Sequence, residues 1–255
     1  MTHPVSRPLS ARERALVVAL DRVVLRLSRD WLLAFSLLFG LFVGLPWLAP
    51  ALMKLGWTGA GDAIYLAYAT QCHQLPQRSF FLFGPKAMYS LAEIQTVWQA
   101  TDNPLILRQF VGNAALGWKV AWSDRMTSMW TSVFLAGLIF WLLRTRIKPL
   151  PLWAFALFIA PMALDGGTHL ISDLAGIGQG FRDSNLWLAI LTNNAFPPTF
   201  YAGDSLGSFN SWMRLATGAL FGVRVVWLVF PYLEAAFADV VGQIEDKFQR
   251  AGLAL

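Results

Sequence analysis

The amino-acid sequence predicts an all-α polytopic membrane protein of about four transmembrane helices, with an extracytoplasmic cap built from short helices and a hairpin. Three observations point there. Of the 255 residues 56% are hydrophobic and only 14% are charged, where a soluble domain carries roughly 25% charged residues. Several apolar runs approach the roughly 20 residues that cross about 30 Å of hydrocarbon. The lysines and arginines collect beside those runs and form no basic stripe interleaved with aromatics. The formal charge of +5 therefore reflects topology, and no nucleic-acid partner is expected.

Residues 1–30 form a basic amphipathic N-terminal segment with Arg7, Arg12, Arg14, Arg22, Arg26 and Arg29. Leu16, Leu20, Val23, Val24 and Leu27 recur at helical spacing between Ala11 and Leu27, which suits a helix lying on anionic headgroups. Membrane lipids are its expected partner. No small-residue cleavage site follows the first apolar run, so no cleaved signal peptide is expected.

The membrane domain covers residues 31–233. Trp31 to Met53 is the first span, its far end bent by Pro46 and Pro50. Met126 to Leu143 is the second, stopped by Arg144, Arg146 and Lys148. Leu150 to Ile171 is the third, interrupted late by Asp165, Gly166 and Gly167, and Trp212 to Phe230 is the fourth. The Gly40/Gly44 and Gly218/Gly222 pairs permit close helix approach. Arg224, within the fourth span, can snorkel or pair. Basic residues in short loops mark the cytoplasmic side. The clusters at 7–29 and 144–148 thus place both termini, including the amphipathic tail 234–255, in the cytoplasm of a multi-pass cell-membrane protein.

Two segments then face outward, a cap over residues 56–125 and a loop over 172–211. Asp62 to Gln74 has helical potential. Ser79–Phe83, Gly84–Pro85 and Ala87–Tyr89 suggest a hairpin, and Ser90 with Glu93 suggests a capping box opening a helix to about Gln99. The loop, rich in Gly, Asn, Asp and Pro, is expected to be irregular and either mobile or docked on the cap.

This topology gathers the ionisable residues at the outer face: Asp124 and Arg125 at the mouth of span two, Asp165 and His169 at the end of span three, Arg214 at the mouth of span four. Cys72, His73 and Arg78 belong to the cap above them. Charged groups at a membrane boundary are costly and converge on one another or on a wet cavity. Asp165 and His169 stack on one helix face, a spacing that suits either a satisfied polar network or a divalent metal, with His73, Cys72 or Asp124 completing the ligand set. Cys72, the only cysteine, excludes an intrachain disulfide. As a nucleophile it would need His169 as its base, because His73 is its immediate neighbour.

Four stretches in order carry a resemblance: Cys72–Phe80 (CHQLPQRSF), Trp122–Arg125 (WSDR), Pro161–His169 (PMALDGGTH) and Arg214–Gly218 (RLATG). Together they resemble the prokaryotic membrane-protein family catalogued as domain of unknown function 2085, over about residues 60–230. The resemblance implies a shared polar site and brings no activity. Many members carry cysteine where this chain has Ser123 and glutamine where it has His169, so a Cys72-centred disulfide or thiolate metal site is not carried over.

No catalytic set is complete, which favours a non-catalytic accessory or scaffold subunit of a larger membrane assembly, bound to other membrane subunits or to itself. The alternative is a membrane enzyme acting on a lipid or isoprenoid headgroup. There Arg78, Arg125 and Arg214 would bind the anion, and Asp165 with His169 would serve as acid/base or metal pair. Transport is the weakest class, since charges are scarce at mid-bilayer depth.

Overall fold

The computed structural model describes residues 10–254, so Arg7 of the N-terminal cluster lies outside the described residues. α1 (Ala11–Arg29) opens with a reciprocal capping box between Ser10 and Glu13. Its apolar stripe, Val24 included, stays exposed, and a residue outside the stripe makes the buried contact. Leu25 is buried against Ile244 and Phe248, whereas Leu16, Leu20, Val23 and Leu27 remain exposed.

α2 (Trp31–Lys54) is 24 residues long and contains Pro46 and Pro50. α3 (Thr58–Tyr68) ends six residues before Gln74, the expected limit. The chain turns after Ala69, and Gln74 takes a left-handed φ of 52°. Cys72 Sγ also accepts the amides of Gln74 and Ser123, which draws this stretch against a strand.

A 3₁₀ turn over Pro76–Arg78 leads into β1 (Ser79–Leu82). After it come α4 (Leu91–Val97), α5 (Pro104–Leu107), β2 (Gly112–Asn113) and β3 (Gly117–Ser123). The Ser90–Glu93 capping box is present at the start of α4. The molecule is mostly helical but not all-α: β1, β3 and β2 form a small antiparallel sheet in that order. The expected hairpin is also corrected, because β1 pairs with β3, Ser79 opposite Ser123 and Leu82 opposite Trp118. β3 is the better partner because Val120, Ala121 and Trp122 are completely buried in it. Of pairing with 87–89, one backbone bond remains, from Phe81 N–H to the Ala87 carbonyl.

α6 (Asp124–Leu143) and α7 (Leu152–Asp173) follow. The 172–211 loop, expected to face outward, is docked and carries α8 (Phe181–Ser184), α9 (Leu186–Leu191) and α10 (Pro198–Tyr201). α11 (Phe209–Arg250) then runs 42 residues through Pro231, so the fourth apolar stretch and most of the tail share one helix. Among the described residues, α2, α6 and α11 are long and apolar enough to cross a membrane. α7 has 22 residues and carries Asp165 to His169 in its second half.

α11 is the packing centre. Gly218 and Gly222 lie against α6 so closely that a Cβ would fall 2.3 Å from Ser128 Oγ and 2.4 Å from the Met129 carbonyl. At Gly40 a Cβ would meet Phe134, while at Gly44 it would meet nothing. α7 packs mainly on α11 and α8 and meets α6 through Arg125. An aromatic cluster of Trp31, Phe35, Phe140 and Phe230 joins α2, α6 and α11. Arg224 lies over the Phe158 ring of α7, 4.1 Å from its centroid.

Candidate functional site

The starts of α6 and α11, the end of α7, the cap and the outer loop meet at one end of the bundle. Asp124, the first residue of α6, is completely buried. Arg214, one turn into α11, grips it with a two-pronged contact, Nε to Oδ1 at 2.8 Å and Nη2 to Oδ2 at 2.9 Å. The Ser211 hydroxyl and the Arg125 amide also donate to Asp124. The third nitrogen of Arg214, Nη1, reaches Asp204 Oδ1 at 2.6 Å.

Asp204 belongs to the outer loop and joins this pair to the cap, because Arg78 Nε donates to its Oδ2 at 2.6 Å. Arg78 also holds Asp173, at the end of α7, through two contacts of 2.7 Å. Burial alone would push the Asp204 carboxyl up, but the Arg78 and Arg214 guanidiniums outweigh it and hold the carboxyl well below the usual range. The same two aspartates raise Arg78 against the opposing effect of its burial.

Asp165 is the second hub. Its Oδ2 accepts from Arg125 Nη2 at 2.7 Å and its Oδ1 from Arg182 Nη2 at 2.8 Å. Arg182 reaches on to Asn210 and Thr168. His169 stands between the hubs, with Nδ1 3.0 Å from the Asp165 carbonyl and Nε2 3.4 Å from Arg214 Nη1. Donation from Nδ1–H to that carbonyl, with Nε2 as acceptor, is the assignment that satisfies both neighbours.

Four arginines (78, 125, 182, 214) thus face four aspartates (124, 165, 173, 204), and the cluster is neutral by count. Six of the residues singled out in the sequence, Arg78, Asp124, Arg125, Asp165, His169 and Arg214, come together here. Asp165 pairs with Arg125 and not with Arg214. Sequence reasoning missed Arg182, Asp173, Asp204 and Asn210, all in or beside the outer loop. Charge counting is the signal that could have found an acid: Arg78, Arg125 and Arg214 outnumber Asp124 and Asp165.

Cys72 and His73 are close by but play other parts. Cys72 is buried, its sulfur accepting two amides. One of these belongs to Ser123, the position at which the resembled family often has cysteine. His73 is exposed. Among the described residues no group of three or more His, Cys, Asp and Glu side chains is placed to hold a metal ion. The donors of Asp165 do not fit one, since a divalent cation there would have to displace Arg125 and Arg182.

Above the cluster lies a cavity of about 740 Å³. It is bounded by the Gln71–Leu75 stretch, the starts of α6 and α5, and the end of α7, with Arg125, His169 and Arg214 in its wall.

Residues 114–228 match the family described as "Predicted membrane protein (DUF2085)". The matched stretch contains Asp124, Arg125, Asp165, His169 and Arg214, and the Cys72–Arg78 stretch precedes it. No curated protein and no solved structure matches the chain.

Proposed function

Proceeding from that match to a family of predicted membrane proteins, we propose that this chain is a non-catalytic accessory or scaffold subunit of a larger membrane assembly, in which the arginine–aspartate cluster is a structural clasp. The observation that carries this reading is the pairing itself. Each of the four carboxylates accepts from at least one guanidinium, which leaves none of these four free as a general base. Cys72 accepts amide hydrogens and has no imidazole within its hydrogen bonds, so it is not set up as an activated nucleophile. The clasp fixes the shape of an outer surface without performing chemistry on it. Isolation from native membranes in mild detergent tests this. A stoichiometric complex with other membrane subunits or with further copies of this chain is expected, and a chain that purifies as a lone monomer would contradict it.

The same reading takes α7 as a fourth span and puts the clasp outside the cell membrane. Its support is that α7 runs from the basic end of the bundle to the clasp, about 33 Å at 1.5 Å per residue. At the basic end Arg144 approaches Glu234 at 3.7 Å and Trp31 donates to Glu234. The basic α1 and the 144–148 loop therefore share one end, as the cytoplasmic preference of Lys and Arg requires. Reporter fusions after Arg146 and after Leu255 should report cytoplasm, and fusions at Ala100 and Gly203 the outside. A cytoplasmic signal at Ala100 would invert the clasp.

A further inference from the structure

We propose that the cavity above the clasp binds the anionic headgroup of a membrane amphiphile, a phosphate or carboxylate whose apolar tail leaves between α6 and α7. This goes beyond the scaffold reading, which does not need a ligand. The volume, about 740 Å³, falls within the roughly 300–1,000 Å³ of small-molecule sites.

The cavity wall contains the one guanidinium of the clasp with hydrogen-bonding capacity to spare. Arg125 uses Nη2 on Asp165, a carboxylate it shares with Arg182, and its Nε is buried without any partner. Arg78 and Arg214, by contrast, each engage two carboxylates. The Nε of Arg125 is closed off from the cavity, so the donor left for a ligand is Nη1, which makes no hydrogen bond among the described residues, and a cationic donor at a cavity wall suits an anionic oxygen. The local backbone is shaped for that guanidinium: a Cβ on Gly166 would fall 2.7 Å from Arg125 Nη1, so glycine keeps the space open. His73 adds a polar group at the rim.

The tail has a way out on the lipid side. Met126, Leu170 and Leu174 line the cavity, and Leu170 and Leu174 are also 64% and 81% exposed. They continue the cavity wall onto the outer flank of α7. α7 packs mainly on α11 and meets α6 through the Arg125–Asp165 pair, and these leucines lie beyond that tie, toward the end of α7. The wall sets Arg78, Arg125 and Arg214 against Asp102 and Asp173, an excess of cationic side chains that disfavours a headgroup with a net positive charge.

Native mass spectrometry of the full chain, released from mild detergent, tests the proposal with phosphatidic acid, phosphatidylcholine and inorganic phosphate as probes. One phosphatidic acid should be retained per chain, with roughly tenfold preference over phosphatidylcholine. Arg125→Gln should reduce that retention by a similar factor. Since this change also touches the clasp, Leu174→Glu provides a second variant at an exposed position just past the end of α7. It should lower retention through charge repulsion while leaving thermal stability unchanged. Equal retention of the two lipids, or unchanged retention in both variants, would overturn the proposal. Displacement of phosphatidic acid by equimolar inorganic phosphate would also overturn it, by showing that the tail contributes nothing. None of these outcomes bears on whether the chain is a scaffold, which the co-purification experiment decides separately.

Discussion

Arg214 donates to Asp124 and Asp204 at once, so its loss leaves buried Asp124 without a guanidinium and Asp204 with Arg78 alone. Breaking such a buried pair from one side costs roughly 3–5 kcal/mol, because the remaining charge is left desolvated and uncompensated. Arg214→Gln and Asp124→Asn should each be severely destabilising. Their double variant should be clearly milder than the sum, as expected for direct partners. Asp165→Asn with Arg214→Gln should couple much more weakly, since His169 separates the two. Unfolding of the purified variants in detergent measures both cycles, and equal coupling would mean the pairing is not specific. Which charges converge was legible from sequence, because Asp124, Asp165 and Arg214 lie at span mouths where few other polar groups compete. Which acid meets which base was not, since Arg182 and Asp204 sit in a polar loop with no periodicity to orient them.

Among the elements, β3 was the hardest to recognise. Its sequence, GWKVAWS, has no polar alternation to mark a solvent face because both faces are covered. The apolar helices and the Ser90 and Ser10 caps were plain, being set by composition and by local side-chain bonds. β3 also buries Lys119 completely, with Nζ donating to the carbonyls of Gln74 and Arg108. The ammonium thereby clamps the end of α5 to the stretch before the 3₁₀ turn. Burial pushes its pKa down from 10.5 to about 7, aided by Arg108 and opposed by Cys72. Above that folded value and below the unfolded one, the unfolded chain binds more protons, so stability rises with pH. Below about 7 both states are charged and the cost of burial is fully present. The wild-type chain should therefore gain stability from pH 7 to pH 10 relative to Lys119→Met, whose denaturation midpoint lacks this contribution. Parallel pH profiles for the two proteins would refute the buried ammonium.

At the scale of the whole molecule, the helices are held together by apolar packing around α11, and the clasp end is held by charge. Arg78 ties the cap to α7 and the loop, and Arg214 ties the loop to α6. The aromatic cluster around Phe230 at the basic end does not depend on either. These two regimes should separate when one ion pair is removed. Hydrogen exchange of the full chain in mild detergent, wild type against Arg214→Gln, tests this most directly. The clasp predicts that protection falls together around residues 72–82, across 181–208 and in the first turns of α6 and α11, while the same helices near Val133 and Val226 keep theirs. Loss confined to the first turn of α11, with cap and loop unchanged, would contradict it.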